Sequence, residues 1–127
     1  MSVNLNITYL WLDDVRPTGA GIYELHNFNC RVAHSVNEAK KIIREAEGNG
    51  QDRFILELDH DLGDYASDGG DGYKLVEWLI ETGRNTNHYI VQCHSANPVG
   101  RAHILGLRER YWPLFDEEEF FGNEEET

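Results

Sequence analysis

The sequence predicts an α/β fold, a three-layer sandwich built on a parallel sheet. Short apolar runs of four to six residues alternate with segments of helical period. That alternation implies βαβ units and therefore parallel strands. Three of the runs end in polar residues with useful chemistry, which is where open parallel sheets carry their ligands. A length of 127 residues suits one domain with a core of its own.

The elements follow in order. Ile7 to Leu12 (ITYLWL) is a buried strand that ends at Asp13-Asp14. Pro17 and the stretch Gly19-Ala20-Gly21 break regularity after it. Cys30 to Ala33 (CRVA) is a second strand. Ser35 then opens a helix as N-cap, with Glu38 as its capping-box partner. Ala39, Ile42, Ile43 and Ala46 recur at helical spacing, and Gly48 and Gly50 stop the helix. Phe54 to Leu58 (FILEL) is a third strand ending at Asp59, and a polar, Gly-rich loop runs from Asp61 to Gly72. Tyr73 to Thr82 shows Leu75, Val76, Leu79 and Ile80 on one face, so it is a helix, stopped by Gly83. His88 to Cys93 (HYIVQC) is a fourth strand. Pro98 starts a further helix in its first turn, with Ile104, Leu105 and Leu107 as core candidates. Trp112 to Phe115 reads as a short fifth strand. The domain then spans residues 1–115, and residues 116–127 form an acidic, solvated or partner-facing tail.

The charge balance narrows the partners. There are 11 Lys plus Arg against 23 Asp plus Glu, a net charge of -12. Duplex nucleic acid and anionic membranes both need basic surface, so neither is an expected partner. Seven of the acids lie in the tail, which contains no Lys or Arg. Cys30 and Cys93 show no metal spacing and read as reduced thiols. No basic, apolar leader opens the sequence, and no apolar run approaches the ~20 residues of a membrane span. A cytoplasmic protein is expected, with its oligomeric state left open.

The strand ends carry the candidate site. Asp13 and Asp14, followed by Arg16, close the first strand; Asp59, His60 and Asp61 close the third; His94, Ser95 and Asn97 close the fourth. Crowded carboxylates repel and need a cation or a shared proton. Mg²⁺ or Mn²⁺ suits oxygen donors best, and Zn²⁺ or Fe suits the set if His60 and His94 are ligands. An EF-hand does not fit, because position twelve counted from Asp59 is Gly70. Asp13 and Asp14 also have a reading as plain turn formers. Asp64, Asp68 and Asp71 read as a solvated loop, with Asp71 a candidate cap for the next helix. His26, His34 and His88 read as surface or packing residues. His103 lies one turn into a helix that begins at the site edge, and Arg101, nearer that start, is placed to meet an anion. Trp11, Trp78 and Trp112 read as core.

Four segments, LDDVRP (Leu12 to Pro17), LDHDLG (Leu58 to Gly63), Gly72-Tyr73 with Trp78, and HSANPVGR (His94 to Arg101), resemble the signature blocks of the cyclic-phosphate processing receiver-like domains. The resemblance covers roughly residues 7–110. It implies a flavodoxin-like sheet of order 2-1-3-4-5, similar to response-regulator receivers, and processing of cyclic phosphates on nucleotides or RNA ends. Asp13-Asp14 match the receivers' acidic pair, Asp59 their phospho-acceptor, and Ser95-Ala96 their Ser/Thr-Ala. The receivers' Lys after the fifth strand has no counterpart, since no Lys occurs beyond Lys74. His60, Asp61, His94 and Asn97 are additions that ordinary receivers lack.

These residues fit a metal-dependent phosphoesterase. Asp13, Asp14 and Asp59 would hold the metal. His60 and His94 would serve as base and acid, or complete the metal shell. Asp61 would orient a histidine or join the shell, and Arg16, Ser95, Asn97 and Arg101 would bind phosphate oxygens. His94 and Ser95 are neighbours, and inside a strand neighbours face opposite ways, so both reach one site only past the strand end. Two other classes stay open: a non-catalytic module that binds a cyclic nucleotide or a protein, and a phospho-accepting signalling receiver.

Overall fold

The computed structural model describes residues 6–14 and 28–122. Among them four strands form one sheet: β1 (Ile7–Leu12), β2 (Asn29–Ala33), β3 (Arg53–Leu58) and β4 (Tyr89–Cys93). The order is β2-β1-β3-β4 and every pairing is parallel. The helices are α1 (Val36–Gly48), α2 (Tyr73–Glu81), α3 (Pro98–Tyr111) and α4 (Glu117–Phe121), with a 3-10 turn at Gly63–Ser67. No helix of the described residues is long and apolar enough to cross a membrane.

Alternation along the strands divides the core in two. Leu10, Leu12, Phe54, Leu56, Leu58 and Val91 face α1, α2 and α3, which bury Ile43, Leu79 and Ile104 against them. Ile7, Tyr9 and Ile55 face the other way and pack on Phe120 of α4.

α1 starts as the sequence predicts, with a variation. Ser35 Oγ accepts the Glu38 N–H at 3.1 Å, but the Glu38 carboxylate reaches one residue further back, to the His34 N–H at 2.8 Å. In the loop after β3, Asp64 is exposed, as a solvated loop residue is, while Asp68 and Asp71 are tied down by hydrogen bonds. Asp68 accepts from Ser35 Oγ at 2.7 Å and from Asn37 Nδ2 at 3.0 Å, and these bonds hold its carboxyl below the ordinary range. Asp71 accepts the Leu62 N–H at 3.1 Å and does not cap α2, whose N-cap is Gly72.

The expected fifth strand is corrected. Trp112 to Phe115 is irregular chain. A fifth strand would have to pair with the outer edge of β4, whose carbonyls are already used. Tyr89 O accepts Trp112 Nε1 at 2.8 Å, Val91 O accepts Arg108 Nη1 at 2.9 Å, and Cys93 O accepts Arg101 Nη1 at 3.0 Å. Side chains at the end of and along α3 thus stand in for a neighbouring ladder and blunt the edge.

The solvated tail is corrected over its described part. Asp116 caps α4 by accepting the Glu119 N–H at 3.1 Å, and Glu117, Glu118 and Glu119 occupy the first turn. Acids are favoured there by the helix dipole. Phe120 is fully buried, and Arg53 Nη1 donates to its carbonyl at 2.8 Å. The acidic run is therefore the polar start of a helix that inserts an aromatic into the second core. Residues 123–127 lie outside the described residues.

Candidate functional site

The register of the parallel ladder builds the site. Leu12 pairs with Leu58, and Leu58 with Cys93. Asp13, Asp59 and His94 follow these three residues, so they stand in one row at the carboxyl edge. The ladder continues through them: Asp13 N–H bonds to Ala33 O at 3.1 Å, Asp59 N–H to Leu12 O at 2.8 Å, and His94 N–H to Leu58 O at 3.0 Å. Residues in register on adjacent strands project from the same face. β1 and β3 lead to strands on opposite sides of the sheet, so the row lies at the topological switch point, where open α/β sheets bind ligands.

Two carboxylates and an imidazole converge there. The candidate ligand atoms of Asp13, Asp59 and His94 lie within 4.8 Å of one another. Asp13 and Asp59 are buried, and His94 Nε2 sits 2.9 Å from Asp13 Oδ2. His94 Nδ1 is 3.5 Å from Glu57 Oε2, at the outer limit of a hydrogen bond. Burial pulls the His94 imidazole down, but the Glu57 and Asp13 carboxylates outweigh it and hold the ring above its ordinary 6.5. A proton on that ring would supply the positive charge that a buried carboxylate pair demands. A divalent cation would supply the same charge, and three clustered N and O donors fit one.

The same alternation divides the predicted residues. His60 follows Asp59 and turns to the opposite side, under the first turn of α3. A Cβ on Gly100 would come within 2.4 Å of His60 Cγ, so only glycine fits there. The ring faces Tyr73 at 5.6 Å between centroids, and Tyr73 in turn stacks on His103 at 4.7 Å. His60 Nδ1 is 2.7 Å from Asp61 Oδ1. The His60 bond, against the opposing effect of burial and with a lesser bond from Asn97, holds the Asp61 carboxyl below its ordinary 3.8. His60, Asp61 and Asp71 form a second cluster of possible ligand atoms, separate from the first.

The other predicted residues have definite places. Asp14 lies against Gly63, whose added Cβ would sit 2.7 Å from Asp14 Oδ2; it is not in the Asp13, Asp59 and His94 group. Ser95 is buried, and its Oγ accepts the Asn97 N–H at 3.1 Å. Asn97 is the N-cap of α3. Arg101 spends one N–H on Cys93 O. Arg16 lies outside the described residues, as do Pro17, the glycines after it and His26.

The sequence reading missed two members of the site. Trp11, read as core, stacks on His94 with centroids 4.2 Å apart, and its buried Nε1 has no hydrogen-bond partner among the described residues. Glu57 is the other carboxylate facing His94. Both were within reach of period-two reasoning, since each stands two residues before a site aspartate and so shares its face. A cavity of about 740 Å³ lies elsewhere, along β4 beside Tyr89, Trp112, Phe115 and Phe121, and none of the strand-end carboxylates or imidazoles lines it.

The family model described as Cyclic-phosphate processing Receiver domain matches residues 8–110. No curated protein and no solved structure matches the chain.

Proposed function

The chain belongs to the cyclic-phosphate processing receiver domains, and on that premise we propose that it is a metal-dependent phosphoesterase that opens a cyclic phosphate on a nucleotide or an RNA end. The observation that carries this reading is the convergence of Asp13, Asp59 and His94 at the switch point. Asp13, Asp59 and His94 would hold a divalent metal, with Asp14 beside them. An imidazole in the set favours Mn²⁺, Zn²⁺ or Fe over Mg²⁺, which prefers oxygen donors throughout. The metal would supply Lewis-acid stabilisation of the phosphoryl charge.

The remaining chemistry falls to the chain's own groups. Proton transfer would fall to His60, on a substrate that reaches from the Asp13, Asp59 and His94 group across the strand ends to the first turn of α3. Water adds to phosphorus while His60 Nε2 takes its proton. The ring P–O bond breaks, and the released alkoxide takes that proton back from the His60 imidazolium, leaving an acyclic phosphomonoester and a neutral ring. Ser95 Oγ keeps its own proton to donate, Arg101 keeps the N–H groups that Cys93 does not use, and Trp11 Nε1 is a further donor for a ligand oxygen.

A phospho-accepting signalling role fits less well. Asp59 is only 5% exposed, and no Lys beyond Lys74 exists to read an acyl phosphate. Incubating the purified protein with 2′,3′-cyclic and 3′,5′-cyclic nucleotides and with RNA ending in a cyclic phosphate, each with Mg²⁺, Mn²⁺ or Zn²⁺, decides the matter. Release of a phosphomonoester is expected. Binding without turnover, with metal shown to be present, would leave a binding module instead.

A further inference from the structure

We propose that Asn97 is a positioning residue rather than a phosphate ligand: it ties the first turn of α3 to Asp61 and thereby holds His60 with Nδ1 clamped and Nε2 presented. The proposal rests on the reading of His60 as the proton-transfer group.

The contacts form an unbroken chain. Asn97 Oδ1 accepts the N–H groups of Val99 at 3.1 Å and Gly100 at 3.2 Å, which caps α3. The other end of the same amide, Nδ2, donates to Asp61 Oδ2 at 3.1 Å and Oδ1 at 3.3 Å. Asp61 Oδ1 then meets His60 Nδ1 at 2.7 Å. An exposed carboxylate one residue from the histidine would otherwise swing freely, since its side chain is 57% accessible. Asn97 fixes it to a helix end.

The consequence for His60 is chemical. An ionised carboxylate only accepts, so the neutral imidazole carries its proton on Nδ1, and Nε2 keeps its lone pair. Among the described residues Nε2 makes no hydrogen bond. The ring is also walled in, by Gly100 on α3 and by Tyr73 on α2. The helix that Asn97 caps is thus the same helix whose backbone rests on the ring, and cap, carboxylate and imidazole move together. Both ends of the Asn97 amide are already engaged, which leaves it at most one N–H for a phosphate oxygen.

Asn97→Ser separates the two halves of the role. It keeps a hydroxyl oxygen able to cap α3 and loses the amide donor to Asp61. Asn97→Asp also keeps the cap but turns an acceptor on Asp61. The measurements are the melting temperature, the ring ¹⁵N shifts of His60 (assigned with His60→Gln) at a pH where the ring is neutral, and kcat and KM on a cyclic phosphate. The wild-type ring is expected in the Nδ1–H form. Both variants should melt near wild type and shift the ring toward the Nε2–H form that free histidine prefers. In both, kcat should fall by about 10–100-fold, the scale of lost outer contacts to a functional histidine, with KM little changed. An Nε2–H ring in the wild type, or an Nδ1–H ring that persists in Asn97→Ser, overturns the proposal. So does a rise in KM with kcat intact, which would restore Asn97 as a phosphate ligand. If the wild type turns over no cyclic phosphate, the enzyme reading fails, and the ring shifts still decide whether Asn97 orients His60.

Discussion

The imidazole of His94 lies flat on the indole of Trp11, with ring centroids 4.2 Å apart and planes 11° from parallel. The stack places a natural fluorophore against a ring that also meets Asp13 and Glu57. Trp78 and Trp112, the other two tryptophans, pack against the first core instead. Emission from Trp11 should therefore report what happens to His94.

Titration with Mn²⁺ is expected to quench Trp emission saturably, and Trp11→Phe should abolish that response. Asp13→Asn should weaken the binding seen in the wild type by more than the ~10–100-fold typical of residues behind the ligands. Emission that stays constant while calorimetry shows metal bound would place the ion elsewhere.

The two histidines should differ in how they fail. His60→Ala is expected to lower turnover by ~10²–10⁴-fold, the range for a lost acid or base, and excess metal should not restore it. His94→Ala should lose activity through metal affinity and recover in part at high metal. Equal rescue of both variants would remove the division of labour between them.

Two glycines of α3 make a matched pair. Gly100→Ala drives a Cβ to 2.4 Å from His60 Cγ, whereas a Cβ at Gly106 meets nothing within 4 Å. Gly100→Ala should destabilise by ~1–3 kcal/mol, as overpacking does, and displace the His60 ring. Gly106→Ala should stabilise by roughly 0.5–1 kcal/mol through helix propensity. Denaturant midpoints measure both, and a stable Gly100→Ala protein would contradict the close packing.

The acidic C-terminal segment should prove structural. Phe120→Ala removes a fully buried ring from the cluster of Ile7, Tyr9 and Ile55, for a cost of ~3–5 kcal/mol. Replacing Glu117 and Glu118, both exposed in the first turn of α4, should cost only the few tenths of a kcal/mol that dipole contacts carry. Chemical denaturation of the two variants tests the contrast, and a Phe120→Ala protein as stable as wild type would return the segment to a solvated tail.

Stability should fall at both pH extremes through one network. Glu47 accepts from Arg84 Nε and Nη2 at 2.8 Å each and from Tyr89 Oη at 2.5 Å. The Arg84 bond, against an opposing effect of burial, holds the Glu47 carboxyl below its ordinary 4.5. Its contribution is present above 4.5 and is lost as pH falls through the lower folded value. Burial, and then Glu47, push the Tyr89 phenol up to about 12 from 10.0. That contribution is present below 10.0 and is lost as pH rises towards about 12. Melting temperature against pH should show both limbs, with Glu47→Gln flattening the acid one and Tyr89→Phe the alkaline one. An unchanged profile in both variants would mean that other groups set the limits.

Local signals made most of the elements legible. The strand β1 is the run Ile7–Leu12, and the Ser35 cap and the Pro98 helix start stand where turn chemistry puts them. Trp112 to Phe115 misled because aromatic residues favour strands only when a ladder is free to receive them. Nothing local reveals that Arg101, Arg108 and Trp112 have already filled that edge. The acids at 117–119 misled in the opposite way, since composition alone does not reveal that Phe120 finds a pocket across the sheet.

By itself the sequence determined which residues reach the carboxyl edge, because strand ends, caps and helix periods are set by neighbours along the chain. Only the tertiary structure decided which of them meet. Register between strands is a relation among distant segments, and it aligned Asp13, Asp59 and His94 in one row. Side-chain alternation then sent His60 to the other side, where α2 and α3 enclose it. A cluster that reads as one site in sequence is two clusters in space.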